Sequence, residues 1–177
     1  VVVAFRMLPE VVWRMPKIGT FNLHASLLPN YRGAAPINWA VINGETKTGV
    51  TTFFIDDKID TGAMILSNEI EISENETAGE LHDKLMYLGS KTVIETLKLI
   101  EKGNVKTTIQ TETAEIKTAY KLNKENCKID WTKSGKEIHN LIRGLSPYPC
   151  AWCFFEDNNE EWNVKIYEAK LVPAAHS

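Results

Sequence analysis

The 177-residue chain has only three cysteines. That number is too small and too odd for a disulfide framework, so a reducing compartment, the cytoplasm, is expected. No apolar run approaches the roughly 18 residues that cross a bilayer, and a membrane-spanning protein is not expected. The formal net charge is −3, which gives no global basic field of the kind that coats nucleic acid. Neither G-x-G-x-x-G nor G-x-x-x-x-G-K-[ST] occurs, so no nucleotide-cradling loop is expected. The opening Val1-Val2-Val3-Ala4-Phe5 lacks a basic leader, and Arg6 interrupts it at once. It does not read as a signal peptide.

What is present is a foldable balance of 44% hydrophobic and 24% charged residues. That suits one domain, or one and a fraction. The first five residues read as a buried strand of the parallel type, apolar on both faces. Such a strand needs neighbours, so the chain is expected to begin partway through a sheet. Residues 8–15 read as a short helix and 20–24 as a strand. A helix is expected from Pro36 to Asn43, stopped by Gly44, with strands over 50–55 and 65–72.

Thr77-Ala78-Gly79-Glu80 is a capping box. Behind it Leu81, Leu85, Leu88, Val93, Ile94, Leu97 and Ile100 recur near helical period, and Gly103 ends the element. Residues 104–122 are polar and Thr-rich, a linker or an irregular crossing. Ser134-Gly135-Lys136-Glu137 is a second capping box. Strands over 151–155 and 162–167 flank Asp157-Asn158-Asn159, a hairpin signal.

The densest polar cluster is Asn22-Leu23-His24 with Ser26 just beyond. The two-residue repeat of a strand puts Asn22 and His24 on one face. The end of a strand is where open α/β sheets build sites. An amide there can donate to an oxygen that gains charge, and an imidazole can relay a proton. The plainer alternative is a capped strand end with a structural histidine. Asp60-Thr61-Gly62 is the second candidate: Asp60 can orient His24, or simply cap a turn. Gly62 is expected to supply positive φ.

Cys150-Ala151-Trp152-Cys153 matches C-x-x-C. Residues three apart on a strand point to opposite sides, so two small apolar side chains are the better reading. Across residues 117–143, six lysines and Arg143 outnumber Glu125, Asp130 and Glu137. This segment either steers a phosphate backbone or is a solvated surface.

The run Phe21-Asn22-Leu23-His24-Ala25-Ser26-Leu27-Leu28-Pro29-Asn30-Tyr31-Arg32-Gly33-Ala34-Ala35-Pro36-Ile37 resembles the core motif of the folate-dependent formyltransferases. Gly49-Val50-Thr51-Thr52 leading to Ile59-Asp60-Thr61-Gly62 looks like the family's second signature. Lys128-Ile129-Asp130-Trp131 and Arg143-Gly144-Leu145-Ser146-Pro147-Tyr148-Pro149-Cys150-Ala151-Trp152 are most similar to the branch acting on initiator tRNA. Cys150 stands where that family usually has a small residue such as Gly.

The resemblance implies an α/β fold. A Rossmann-like core with a partial, mostly parallel sheet fills 1–104. A linker spans 105–122, and the start of a small open β-barrel domain spans 123–177. It implies transfer of a formyl group from 10-formyltetrahydrofolate to the α-amine of methionyl-initiator-tRNA, by a cytoplasmic monomer with no metal. Asn22, His24 and Asp60 match the catalytic set. Phe5, Arg6, Met7 and Leu8, with Ser26, Leu27, Leu28 and Pro29, match the folate-binding stretches. Formyl transfer is attack of an amine on a carbonyl, and it calls for an oxyanion donor, a proton acceptor and an orienting carboxylate. Two rivals are a sister enzyme acting on a sugar nucleotide or glycinamide ribonucleotide, and a non-catalytic RNA-binding fragment of the same fold.

Overall fold

The structure, a computed structural model, describes residues 1–3, 7–103 and 105–172. After a single helical turn, α1 (Glu10–Trp13), the chain enters β1 (Phe21–His24). A two-residue strand β2 (Arg32–Gly33) leads to α2 (Pro36–Ile42), and β3 (Lys47–Phe54) and β4 (Met64–Glu71) complete the main sheet. The long helix α3 (Ala78–Glu101) lies against that sheet. Beyond it come β5 (Thr118–Ala119), α4 (Gly135–Leu145) and a hairpin of β6 (Ala151–Asp157) and β7 (Glu160–Ile166).

The main sheet runs β1-β3-β4, and both of its ladders are antiparallel. The parallel relation expected of the core survives in this part of the molecule at Val2, which bridges Asn22 and donates its N–H to Phe21 O at 3.0 Å. β2 also pairs parallel with β5. The antiparallel pairing of β3 and β4 follows from their short connection, which is too brief for a crossover between parallel strands. Val1 and Val3 are more than half exposed, so the buried parallel strand expected there is reduced to one bridge. Among the described residues nothing pairs with its outer side. The hairpin of β6 and β7 is a two-stranded sheet, and among the described residues no barrel closes.

Local sequence explains the helix ends. Thr77 Oγ1 accepts from Glu80 N at 3.2 Å, and Glu80 Oε2 accepts from Thr77 N at 2.8 Å. Ser134 and Glu137 repeat the arrangement at α4. Gly103, at φ +67°, ends α3 in the left-handed region. Asn158 and Asn159 both have positive φ, the geometry a two-residue hairpin turn requires.

The apolar stripe of α3 departs from expectation in its second half. Ala78, Leu81, Leu85, Gly89, Thr92 and Thr96 are its buried residues. Ile94 and Leu97 are exposed. The two threonines continue the buried face because the sheet offers them partners. Thr96 Oγ1 and Thr52 Oγ1 are 2.8 Å apart, and Thr92 Oγ1 accepts from Asn68 Nδ2 at 2.8 Å. Full burial of Leu81 and Leu85 contributes roughly 1.5–3 kcal/mol each.

The core divides in two. Tyr31, Val41, Val50, Leu81, Leu85 and Ala119 belong to the first cluster, and Ile129, Ile142, Leu145, Ala151 and Trp152 to the second. Gly144 joins them: a Cβ there would meet Ile42 Cγ1 at 2.6 Å, so α4 approaches α2 closely. Arg143 donates to Glu76 O at 3.0 Å and Asn140 Oδ1 at 2.9 Å, pinning α4 to the segment before α3. Residues 105–122 lie across the first core. Thr108 pairs with Met64, Tyr31 N donates to Lys117 O, and Ala119 is buried. Among the described residues no helix is long and apolar enough to cross a membrane.

Candidate active site

Asn22 and His24 stand two residues apart on β1, and both line a cleft of about 1170 Å³. Asp60 reaches the same cleft from the loop between β3 and β4. His24 is buried, and its Nε2 lies 2.7 Å from Tyr31 O. A carbonyl oxygen only accepts, so Nε2 carries the proton. In the neutral ring Nδ1 is then bare, and it faces Asp60 Oδ2 at 3.7 Å. A proton taken up at Nδ1 produces an imidazolium beside a carboxylate.

The carboxylate has its own anchor. Gly33 N donates to Asp60 Oδ2 at 3.0 Å. Asp60 has φ +56°, a left-handed backbone that side chains other than glycine seldom adopt. The positive φ expected at Gly62 is absent from that residue and sits on Asp60 instead. Gly62 is required for another reason: a Cβ there would land 1.6 Å from Phe54 O. The loop and β3 touch backbone to backbone.

Among the described residues Asn22 Oδ1 is a buried side-chain atom without a hydrogen-bond partner. Buried polar atoms are nearly always satisfied, and an exception points to an absent partner. The rest of the cleft is mainly apolar, with Met7, Leu8, Val50, Phe53 and Ile59 among its lining residues, although Asn38, Asp56, Lys58, His82 and Ser90 also border it. Leu85, Met86, Val93 and Ile94 of α3 line it as well.

Met7 and Leu8 therefore border the same space as Asn22, His24 and Asp60. Phe5 and Arg6 lie outside the described residues. Ser26, Leu27, Leu28 and Pro29 are not among the residues that line the cleft. They form the turn that brings Tyr31 O back to His24. Ser26 Oγ donates to Asn30 O at 2.7 Å, Thr51 Oγ1 donates to Ser26 O at 2.7 Å, and Leu28 N donates to Thr51 Oγ1 at 3.2 Å. Tyr31 itself is held through its hydroxyl, which donates to Glu45. Burial first, then that bond, pushes the phenol above its ordinary range.

Three parts of the site escaped the sequence reading: Tyr31 O, Gly33 N–H and Gln110. Two are backbone groups, which have no residue-type signature. Gln110 sits in a polar stretch that reads as a linker, although it is buried and donates to Asp60 O and Gly62 O.

On the other unit, Lys124 and Lys128 lie over the Trp152 ring, and Lys128 also over Phe154. Cys127, Cys150 and Cys153 are free and buried. Cys150 occupies φ +77°, a conformation that favours glycine. Its N–H donates to Leu145 O at 2.9 Å and its thiol to Pro147 O at 2.9 Å.

An α/β sheet thus brings an amide, an imidazole and a carboxylate to one cleft. The Formyl transferase profile matches residues 1–97, and the profile for the Formyl transferase C-terminal domain matches residues 121–177. The chain belongs to the formyl transferase family. It is 78% identical over its whole length to the methionyl-tRNA formyltransferase of Flavobacterium johnsoniae, covering 56% of that protein. It is 73% identical over 99% of its length to the methionyl-tRNA formyltransferase of Flavobacterium psychrophilum, again covering 56%. The chain thus spans about half the length of the curated relatives it matches. Among solved structures, an N-formyltransferase from Helicobacter canadensis in complex with folinic acid and dTDP-3-aminofucose superposes with a TM-score of 0.63 at 31% identity. That match covers 70% of this chain and 46% of the other.

Proposed function

We propose that the protein carrying this chain transfers a formyl group from 10-formyltetrahydrofolate to the α-amine of methionyl-initiator-tRNA. The observation that carries the reading is the meeting of Asn22, His24 and Asp60 at one cleft. The 78% identity to a methionyl-tRNA formyltransferase supports this choice of acceptor.

The cleft fits a folate donor. Its size suits a ring system with a tail, its walls are mainly apolar, and Asn22 Oδ1 offers an unsatisfied acceptor. Met7 and Leu8, with their neighbours Phe5 and Arg6, would hold the donor. Ser26, Leu27, Leu28 and Pro29 would act on the site by fixing the turn that places Tyr31 O. The donor supplies the formyl carbon.

The chain's own groups then divide the work. The Asn22 amide donates to the formyl oxygen as charge gathers there. His24 takes the proton of the attacking amine at Nδ1, because Nε2 is already committed to Tyr31 O, and returns it to the donor nitrogen as the bond from that nitrogen to the formyl carbon breaks and tetrahydrofolate leaves. Asp60 stabilises the resulting imidazolium and keeps the ring oriented. Lys124 and Lys128 present charge over the buried Trp152 ring, which suits a partner with a phosphate backbone. The three free thiols suit the cytoplasm, and we assign the work to a monomer that needs no metal.

A second reading, transfer to an amino-sugar nucleotide, is favoured by the likeness to the Helicobacter canadensis enzyme. An acceptor screen with the full-length protein separates the two. Methionyl-tRNA is expected to be formylated in preference to amino-sugar nucleotides and glycinamide ribonucleotide. His24→Ala is expected to abolish transfer while a folate analogue still binds. A near-parental rate in that variant removes His24 from the mechanism.

A further inference from the structure

The side chain of Gln110 uses its full hydrogen-bonding capacity inside the molecule. Nε2 donates to Asp60 O at 2.9 Å and to Gly62 O at 2.8 Å. Oε1 accepts from Arg32 Nε at 3.0 Å and from Arg32 Nη2 at 2.8 Å. A primary amide has two N–H donors and two lone pairs on oxygen, and all four are engaged here. The orientation is forced by chemistry. A guanidinium only donates and the two carbonyls only accept, so the amide cannot be turned over without setting like against like.

Two of these bonds hold the backbone of the Asp60 loop, and two hold the Arg32 side chain. On one side Gln110 grips the backbone of Asp60 itself, which is held in a left-handed conformation that persists only where its surroundings impose it. On the other side it grips Arg32, the residue preceding Gly33, whose N–H holds Asp60 Oδ2. The backbone of Asp60 and the side chain of the residue next to its Gly33 anchor are thus tied to one side chain. That side chain comes from residues 105–122, outside both sequence motifs of the site.

We infer that Gln110 is a positioning residue that holds the Asp60 carboxylate against His24 Nδ1. The inference deepens the formyl-transfer reading and rests on it for its kinetic consequence. Its structural consequence is independent of any activity.

Gln110→Glu separates the two grips. One carboxylate oxygen can still accept from Arg32, but the other replaces an N–H donor and faces the oxygens of Asp60 and Gly62. Gln110→Met removes both grips without adding charge, and it decides the matter if the Glu variant does not fold. In the 177-residue chain, amide exchange of the Gly33 N–H, followed by NMR, is expected to quicken at least about tenfold in either variant. In the full-length protein, kcat is expected to fall about 10- to 100-fold, the scale of an ångström-sized misplacement, with KM for donor and acceptor nearly unchanged. In an Asp60→Asn background the same Gln110 substitution is expected to change kcat less than about twofold, because its only route to the chemistry has been removed.

Parental exchange at Gly33 overturns the inference. So does an equal kcat loss with and without the Asp60 carboxylate. If Asp60→Asn by itself transfers formyl at the parental rate, the part given to Asp60 in the mechanism fails, and Gly33 exchange alone then decides the role of Gln110; the proposed function itself fails only if the parental full-length protein transfers no formyl group.

Discussion

Replacing Gly62 with Ala sets a methyl group where the backbone of β3 already runs. The added Cβ would stand 1.6 Å from Phe54 O, 2.8 Å from its carbonyl carbon and 3.3 Å from Phe53 Cδ2. A carbon and a carbonyl oxygen come to rest at about 3.3 Å or more, so loop and strand must separate by roughly 1.7 Å. The nearest atoms belong to backbone, so no side chain can swing aside. Separation stretches the bond from Phe54 N to Ala63 O, now 2.9 Å, and the bond from Gln110 to Gly62 O. Each is worth about 1 kcal/mol net, and overpacking adds about 1–3 kcal/mol, for a total near 3–5 kcal/mol. Asp60 lies two residues away and is expected to move with the loop, at a cost of about 100-fold in turnover. Urea unfolding of the chain and formyl-transfer kinetics of the full-length protein read the two effects. Gly103→Ala is the control. It has φ +67° and no heavy atom within 4 Å of the added carbon, so it is expected to cost about 1–2 kcal/mol in strain with no change in turnover. A Gly62→Ala chain within about 0.5 kcal/mol of the parent would refute the close-approach argument.

Two further predictions concern the supports of the site. Burial works against the charge on Glu45, but hydrogen bonds from Lys117 and Tyr31 outweigh it and hold its carboxyl below the ordinary 4.5. A lowered carboxylate pKa contributes stability that is complete above the unfolded value and is lost as pH falls through the folded one. Glu45→Gln is therefore expected to be less stable than the parent near neutrality, with the gap closing below pH 4.5; a gap that persists in acid contradicts this. Arg143→Met leaves Glu76 O and Asn140 Oδ1 without their donor and is expected to cost about 2–3 kcal/mol in unfolding free energy. Calorimetry that finds no loss would mean that the docking of α4 does not depend on this side chain.

Legibility differed sharply between parts of the molecule, and particular residues show why. Leu81 and Leu85 were readable as core because they follow a strong cap at helical spacing. Thr92 and Thr96 were not, since a threonine joins a buried face only when a partner such as Asn68 or Thr52 waits there. Val1 and Val3 look like a buried strand from their type, yet a strand is buried only by what packs on it. Gly62 was marked as special, but for a positive φ rather than for contact with Phe54. Gln110 left no mark at all, because a lone glutamine in a Thr-rich stretch looks the same whether solvated or fully bonded.

The sequence by itself determined whatever depends on neighbours along the chain. Both capping boxes, the Asn158-Asn159 turn and the shared face of Asn22 and His24 follow from periods and caps within a few residues. It also supplied the kinds of group the chemistry needs. Only the tertiary structure decided how those groups meet. The 3.7 Å approach of Asp60 to His24, the commitment of Nε2 to Tyr31 O, and the arrival of Gln110 from far along the chain all depend on segments brought together by packing. Local propensity carries no information about such distances, because they are set by the sheet and the loops that close on it.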